Sequence, residues 1–213
     1  MPEFSVEMIF THLPDAEDPG GSSEESVGLF KKCLAELKKR GFEIPAHFAN
    51  SAALIRFGGK GVSFARPGLA LYGYPPGPGL SDPGLRPVLK LCAPVLQVRE
   101  FSPGETVGYN RTYRVDTACR IAVLGIGYAD GLHRACTGGS VRIRGAVCKI
   151  VGKISMDLTT VLLPDELDVS RGDTALIYGD DPSGLLALAE RAGTIPYELL
   201  AGLSSRVKRV WVD

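Results

Sequence analysis

The 213 residues predict an α/β segment followed by an all-β segment, and three observations carry that reading. Short apolar runs alternate with helix-period stretches up to about residue 70. A run from Tyr74 to Gly84 is dense in proline and glycine, as a linker between domains is. From Val88 onward the pattern becomes short β-like runs at turn spacing. The expected boundaries are therefore 1–78 for the first domain and 85–213 for the second.

Met8-Ile-Phe10 is a short apolar run ending in Thr11-His12, which suits an inner strand. Ser22 and Glu25 have the spacing of a capping box. Behind them Val27, Phe30, Leu34 and Leu37 recur at helical spacing, with Lys31, Lys32, Lys38 and Lys39 on the other side and Gly41 as the stop. His47 to Ile55 reads as a strand end turning into a helix, with Asn50 or Ser51 as the N-cap. Val62 and Phe64 suggest another short strand before Arg66-Pro67-Gly68-Leu69. The order β, α, β, α, β with short links implies parallel strands joined by crossover helices, and an open edge that something must cover.

In the second segment strands are expected over Val88–Val98, Cys119–Ile126, Val141–Arg144, Ala146–Val151 and Thr174–Tyr178. One helix is expected, capped by Asp181, started by Pro182 and ended by Gly193. Arg206 to Trp211 reads as a final strand.

Composition narrows the function classes. Lys and Arg together number 24 and Asp and Glu 24, so no overall field steers the chain toward nucleic acid or an anionic membrane. Aromatics are sparse and not interleaved with a basic stripe, which disfavours an oligonucleotide-binding barrel. No apolar run approaches a membrane span, and Met1-Pro-Glu-Phe-Ser-Val-Glu lacks the features of a signal peptide. The five cysteines show no metal-ligand or redox spacing, which suits free thiols in a reducing cytoplasm.

In parallel β/α proteins ligands sit at the carboxyl ends of the strands, and His12, Ser51 and Arg66 with Gly68 each fall at such an end. A serine hydroxyl with amides around Gly68 and Leu69 suits a phosphate, although Ser51 alone reads first as a helix cap and His47 as a structural histidine. In the second segment Thr106-Val-Gly-Tyr109-Asn-Arg-Thr-Tyr113 and Gly127-Tyr128-Ala-Asp130-Gly131 put tyrosines beside glycines that allow close approach.

Six stretches, in order, resemble the bacterial alanine racemases, which use pyridoxal 5'-phosphate. They are His47-Phe-Ala-Asn50-Ser51-Ala-Ala, Arg66-Pro-Gly-Leu-Ala-Leu-Tyr-Gly73, Gly104-Glu-Thr-Val-Gly-Tyr109, Gly127-Tyr128-Ala-Asp-Gly131, Ser155-Met156-Asp157 and Thr194-Ile-Pro-Tyr197-Glu. The resemblance covers about Phe10 to Val212. It implies the last three β/α units of a (β/α)8 barrel followed by a C-terminal β-rich domain. In this family a head-to-tail homodimer places the β domain of one subunit at the active site of the other.

By matching position, Ser51, the amides of Gly68 and Leu69, and Tyr197 are expected to hold the cofactor phosphate. Arg66 is expected at the pyridine nitrogen, where it would keep that nitrogen unprotonated. Tyr109 is expected to be the catalytic acid/base, oriented by His12 and through it Arg66. Tyr128 would line the entrance, and Met156 with Asp157 would help form the pocket for the carboxylate of alanine. Ser155 stands where the family often has cysteine, and Lys153 where it commonly has arginine. The implied activity is interconversion of L- and D-alanine for peptidoglycan supply. Inverting an α-carbon needs two opposed acid/base groups, one on each face of the cofactor.

The family's covalent cofactor lysine lies on the first barrel strand in a Lys-Ala-(Asn/Asp)-Ala-Tyr-Gly-His-Gly type motif, and this chain holds no such motif. Lys31, Lys32, Lys38, Lys39 and Lys60 fall in helix or loop patterns. A barrel of eight units takes about 250 residues, so three units leave roughly 150 missing. The expectation is an N-terminally truncated racemase that does not turn over alone. The alternatives are a non-catalytic binding or dimerisation module and a racemase of another small amino acid such as serine.

Overall fold

The computed structural model describes residues 4–58, 63–80 and 84–212, and divides into two units, Met1–Val88 and Leu89–Asp213. Val62, Lys60 and part of the proline-rich run lie outside the described residues.

In the first unit, β1 (Ile9–Phe10) and β2 (Ala46–His47) pair in parallel, with Ile9 opposite Ala46 and Phe10 opposite His47. Between them runs α1 (Ser23–Lys39), whose Val27, Phe30, Leu34 and Leu37 are half-buried while its four lysines are exposed. The expected capping box is not formed. The Ser22 amide and hydroxyl both turn to the Asp15 carboxylate (2.6 and 2.9 Å), and the Ser23 hydroxyl donates to its other oxygen (2.7 Å). These donors hold the Asp15 carboxyl below the usual carboxylate range, the Ser23 bond contributing most.

The next helix, α2 (Ser51–Phe57), is capped by Asn50, whose Oδ1 accepts from the Ala53 amide at 2.9 Å. The Asn50 amide also donates to the Leu13 carbonyl at 3.2 Å. One side chain thereby ties the α2 start to the loop after β1. Asn50→Ala is expected to cost about 1 kcal/mol for the cap alone, checked by urea denaturation of the chain. The expected strand at Val62–Phe64 reduces, among the described residues, to one parallel bridge between Ala49 and Ala65. Leu13, Ala16, Phe48, Ala49, Ala52, Ala53 and Leu80 form this unit's core, with Phe30 edge-on to Phe48.

The second unit is a closed six-stranded barrel. Its strands are β3 (Leu91–Phe101), β6 (Cys119–Leu124), β7 (Ser140–Ile143), β8 (Ala146–Ile150), β9 (Thr159–Leu163) and β10 (Thr174–Tyr178), in the order β10-β3-β6-β9-β8-β7. Every pairing in it is antiparallel. The period-2 pattern fills the inside: Val141 and Ile143, Cys148 and Ile150, Val161 and Leu163 are buried, with more exposed neighbours between them. Closure leaves this sheet no edge strand. A separate hairpin of β4 (Thr106–Val107) and β5 (Tyr113–Arg114) packs Val107 and Val115 on Ile121 and Val151.

Helix α3 (Pro182–Ala192) starts at Asp181, whose carboxylate accepts from the Ser183 amide at 2.7 Å, and ends at Gly193 as expected. Sequence reasoning missed β9 and the short α4 (Pro196–Ala201). It also placed a strand at Arg206–Trp211, where the structure has none; Val210, Trp211 and Val212 are strongly exposed.

All five cysteines are free. Burial pushes the Cys136 thiol up to about 11 from 9.0. A raised folded value contributes stability that is whole below pH 9 and is lost as pH rises toward 11. Melting followed across that window should show the fall. Exposed Cys33 and Cys92 should react with a maleimide in the native chain, whereas Cys136 should wait for denaturant.

Candidate active site

The polar groups at the strand ends of the first unit converge on two features. The first is Arg66. Its backbone amide donates to the Ala49 carbonyl at 2.7 Å, which sets the side chain beside β2. Nη1 then donates to His47 Nδ1 at 2.5 Å, and Nη2 to the Thr11 carbonyl at 3.1 Å. Arginine can only donate, so Nδ1 of His47 accepts and the ring proton sits on Nε2. The Phe10 ring stacks on the His47 imidazole at 5.5 Å, and the guanidinium lies 5.0 Å from the same ring.

This corrects the expected His12–Arg66 pair. Arg66 is held by His47, and among the described residues no hydrogen bond joins it to His12, which is exposed just past the end of β1. The reason is topological: the Ala49–Ala65 bridge and the parallel pairing of β1 with β2 bring position 66 alongside 47. His47, read from sequence as structural, is buried at 8% exposure and is the residue that orients Arg66.

The second feature is Ser51. Because Asn50 takes the cap, the Ser51 hydroxyl is left to face the 66–70 turn. Its Oγ, on a residue only 3% exposed, accepts from the amides of Gly68 (2.9 Å) and Ala70 (3.2 Å). The intervening Leu69 amide has no acceptor among the described residues. A hydroxyl bound to two amides of a turn, with a third amide between them, is a candidate nest for an oxyanion. Sequence had named Gly68 and Leu69 for this role; the Ala70 amide is an addition that only the one-turn helix Leu69–Tyr72 makes visible.

In the second unit Tyr109 begins a one-turn helix, Tyr109–Arg111, between β4 and β5, and is 64% exposed. Its backbone is forced: Gly108, Asn110 and Arg111 all have positive φ (79°, 60° and 52°). A Cβ at Gly108 would stand 2.9 Å from the Lys153 amide nitrogen and 3.0 Å from the Gly152 Cα. The Tyr109 turn therefore lies backbone to backbone on the segment that leads to Ser155-Met156-Asp157.

The Tyr128 turn sits on the same segment. The amides of Tyr128 and Ala129 donate to the carbonyls of Ser155 and Met156, each at 3.0 Å. Asp130 accepts from the Gly127 amide at 2.9 Å and meets Arg206 Nε at 3.3 Å. Arg206 Nη2 also reaches Asp157 Oδ1 at 2.7 Å, so the Asp157 carboxylate already has a cation. Ser155, unlike a cysteine, builds its own turn: its hydroxyl donates to the Leu158 carbonyl and accepts the Leu158 amide. Tyr109, Tyr128 and Met156 are all exposed on these joined turns. Tyr197 is the second residue of α4. Arg206 has no signal in sequence, since its partners lie 49 and 76 residues away and both are common surface residues.

The chain matches the family models "Alanine racemase, N-terminal domain" over residues 1–76 and "Alanine racemase, C-terminal domain" over residues 88–211. An alanine racemase of Acidiphilium cryptum is 40% identical over 203 residues, 95% of this chain and 56% of that protein. The structure of alanine racemase from Streptomyces coelicolor superposes with a TM-score of 0.91 at 31% identity, over 98% of this chain and 56% of that one. That from Bartonella henselae, solved with covalently bound pyridoxal phosphate, gives 0.86 at 34% identity, over 97% and 57%. The chain thus spans little more than half the length of the relatives it matches. Two domain models in order, on a chain that superposes on solved members, place the chain in the alanine racemase family.

Proposed function

We propose that this chain supplies the phosphate nest, the pyridine-nitrogen arginine and the catalytic tyrosine of a pyridoxal-phosphate-dependent alanine racemase. The observation that carries this is the Ser51 nest near Arg66: a hydroxyl at the start of α2 tied to the amides of Gly68 and Ala70, and a guanidinium oriented just ahead of that turn. That donor set fits the cofactor, with an anionic phosphate for the nest and a ring nitrogen for an N–H of Arg66 that His47 and Thr11 leave over. Bound pyridoxal phosphate supplies the delocalisation that makes an amino-acid α-proton removable.

The chain's own residues do the rest in this reading. Ser51 and its nest would anchor the phosphate. Arg66, which cannot give up its proton near neutrality, would donate to the ring nitrogen and so keep it unprotonated. Tyr109 would hold or take a proton at its phenolic oxygen on one face of the substrate. A free phenol titrates near 10, so a base role near neutrality needs cationic neighbours. Tyr128 borders the entrance, and the Met156 backbone with Asp157 borders the substrate carboxylate.

The first unit reads as the last three β/α units of a (β/α)8 barrel, and the working enzyme as a head-to-tail homodimer in the cytoplasm feeding D-alanine to peptidoglycan. The opposite-face base, the covalent lysine of the family, is not in this sequence. The test is to mix the full chain with an N-terminal alanine racemase segment that carries that lysine, and to follow loss of L-alanine optical rotation. Turnover by the mixture and not by the chain alone supports the reading; robust turnover by the chain alone, or none by the mixture, sinks it. In the active mixture, Ser51→Ala should weaken pyridoxal phosphate binding about tenfold, the equivalent of one hydrogen bond to a charged group.

A further inference from the structure

We infer that Arg206 is a positioning residue for the substrate-facing surface of the second unit. It locks the Tyr128 turn to the Met156–Asp157 turn and compensates the carboxylates beside them, so that a substrate carboxylate can approach the Met156 backbone. The inference rests on the reading of Tyr128 and Met156 given above and extends it to a residue outside every motif of the sequence.

Arg206 makes two carboxylate contacts from one planar group: Nε to Asp130 Oδ1 at 3.3 Å and Nη2 to Asp157 Oδ1 at 2.7 Å. Asp130 is the better-buried partner, and its other oxygen holds the Gly127 amide. The backbone keeps the bridge in register, because the Ser204 amide donates to the Asp130 carbonyl at 3.1 Å and Gly131 lies against Gly202. Stability alone does not account for the arrangement, since exposed ion pairs contribute about 0–1 kcal/mol. Its electrostatic effect is larger in consequence. Without the guanidinium, two carboxylates stand uncompensated beside a turn that must accept an anion; with it, one negative charge is cancelled and both side chains are held.

The planar fork is what lets a single cation span both acids, and a lysine ammonium would restore the charge without the two-point geometry. This separates charge from shape in the experiment. In the full chain, Arg206→Gln should raise hydrogen exchange at the Tyr128 and Ala129 amides about fivefold while β3 and β6 stay as protected as before. In the mixture with the lysine-bearing segment, Arg206→Gln should raise KM for alanine about tenfold with kcat within about twofold, and Arg206→Lys should recover most of the loss. An unchanged KM in an active mixture, or faster exchange spread evenly over the barrel strands, overturns the inference. A wild-type mixture that fails to turn over sinks the racemase reading instead, and unchanged local exchange in the full chain then overturns this inference on its own.

Discussion

Tyr109→Phe is expected to lower racemisation by the complemented chain about 10²–10⁴-fold, the range of a positioned general acid or base. The reasoning starts with the backbone. Three positive φ values around Tyr109 are unfavourable for the non-glycine residues Asn110 and Arg111, and they persist because the Gly108–Gly152 contact fixes the turn from beneath. What the strain achieves is a phenol presented well into solvent, at the tip of a hairpin anchored by Val107 and Val115. Phenylalanine preserves that shape and removes only the oxygen. The far-UV spectrum and melting temperature should therefore match wild type while kcat falls and KM for alanine changes little. Retained turnover would assign the second proton to another group and remove the central support for the mechanism. Isotope exchange into L-alanine without inversion would identify the lost face as the one Tyr109 serves.

Gly127→Ala is expected to force the two joined turns of the second unit apart. Here φ is −150°, so the cost is not conformational; it is space. A Cβ would lie 2.3 Å from the carbonyl oxygens of both Ser155 and Met156, which are backbone and cannot swing aside. The turns must separate, and the Tyr128 and Ala129 hydrogen bonds stretch with them. Overpacking of about 1–3 kcal/mol together with two weakened bonds of about 1 kcal/mol each gives a loss of roughly 3–5 kcal/mol. Calorimetry should show a melting temperature lower by roughly 10 °C. Gly28→Ala supplies the contrast in sign. Gly28 lies within α1 with no atom within 4 Å of where a methyl group would stand, so alanine should stabilise that helix by about 0.5–1 kcal/mol. A Gly127→Ala chain as stable as wild type would show that the two turns are not held together as described.

How much of this was readable in advance follows from the range of each interaction. α1 and α3 were legible because caps, periodic apolar positions and stop glycines all act within a few residues. The β7–β8 hairpin was legible through the alternation of Val141 and Ile143 around the Arg144-Gly145 turn. β9 escaped because Thr159-Thr-Val-Leu-Leu163 lacks a polar alternation, being enclosed between β6 and β8. The segment from Arg206 to Trp211 misled in the opposite direction. It has β composition, but a strand requires a hydrogen-bonded neighbour, and among the described residues none pairs with it.

The site divides the same way. Ser51, Arg66, Gly68, Leu69, Tyr109, Tyr128, Met156 and Tyr197 were proposed through motif positions, which record local backbone shape. The partners of those residues were not. Sequence could not choose between Asn50 and Ser51 as the cap, and the choice frees the Ser51 hydroxyl for the nest.

By itself the sequence determined most of the elements, the change of pattern between the two units and the family, because each depends on residues close along the chain. The tertiary structure alone decided that His47 and not His12 holds Arg66, that the amides of Gly68 and Ala70 meet the Ser51 hydroxyl, and that Arg206 joins Asp130 to Asp157. Those are contacts between residues 17 to 76 positions apart. A hydrogen bond is made only when the fold brings donor and acceptor within about 3 Å, and no local pattern carries that distance.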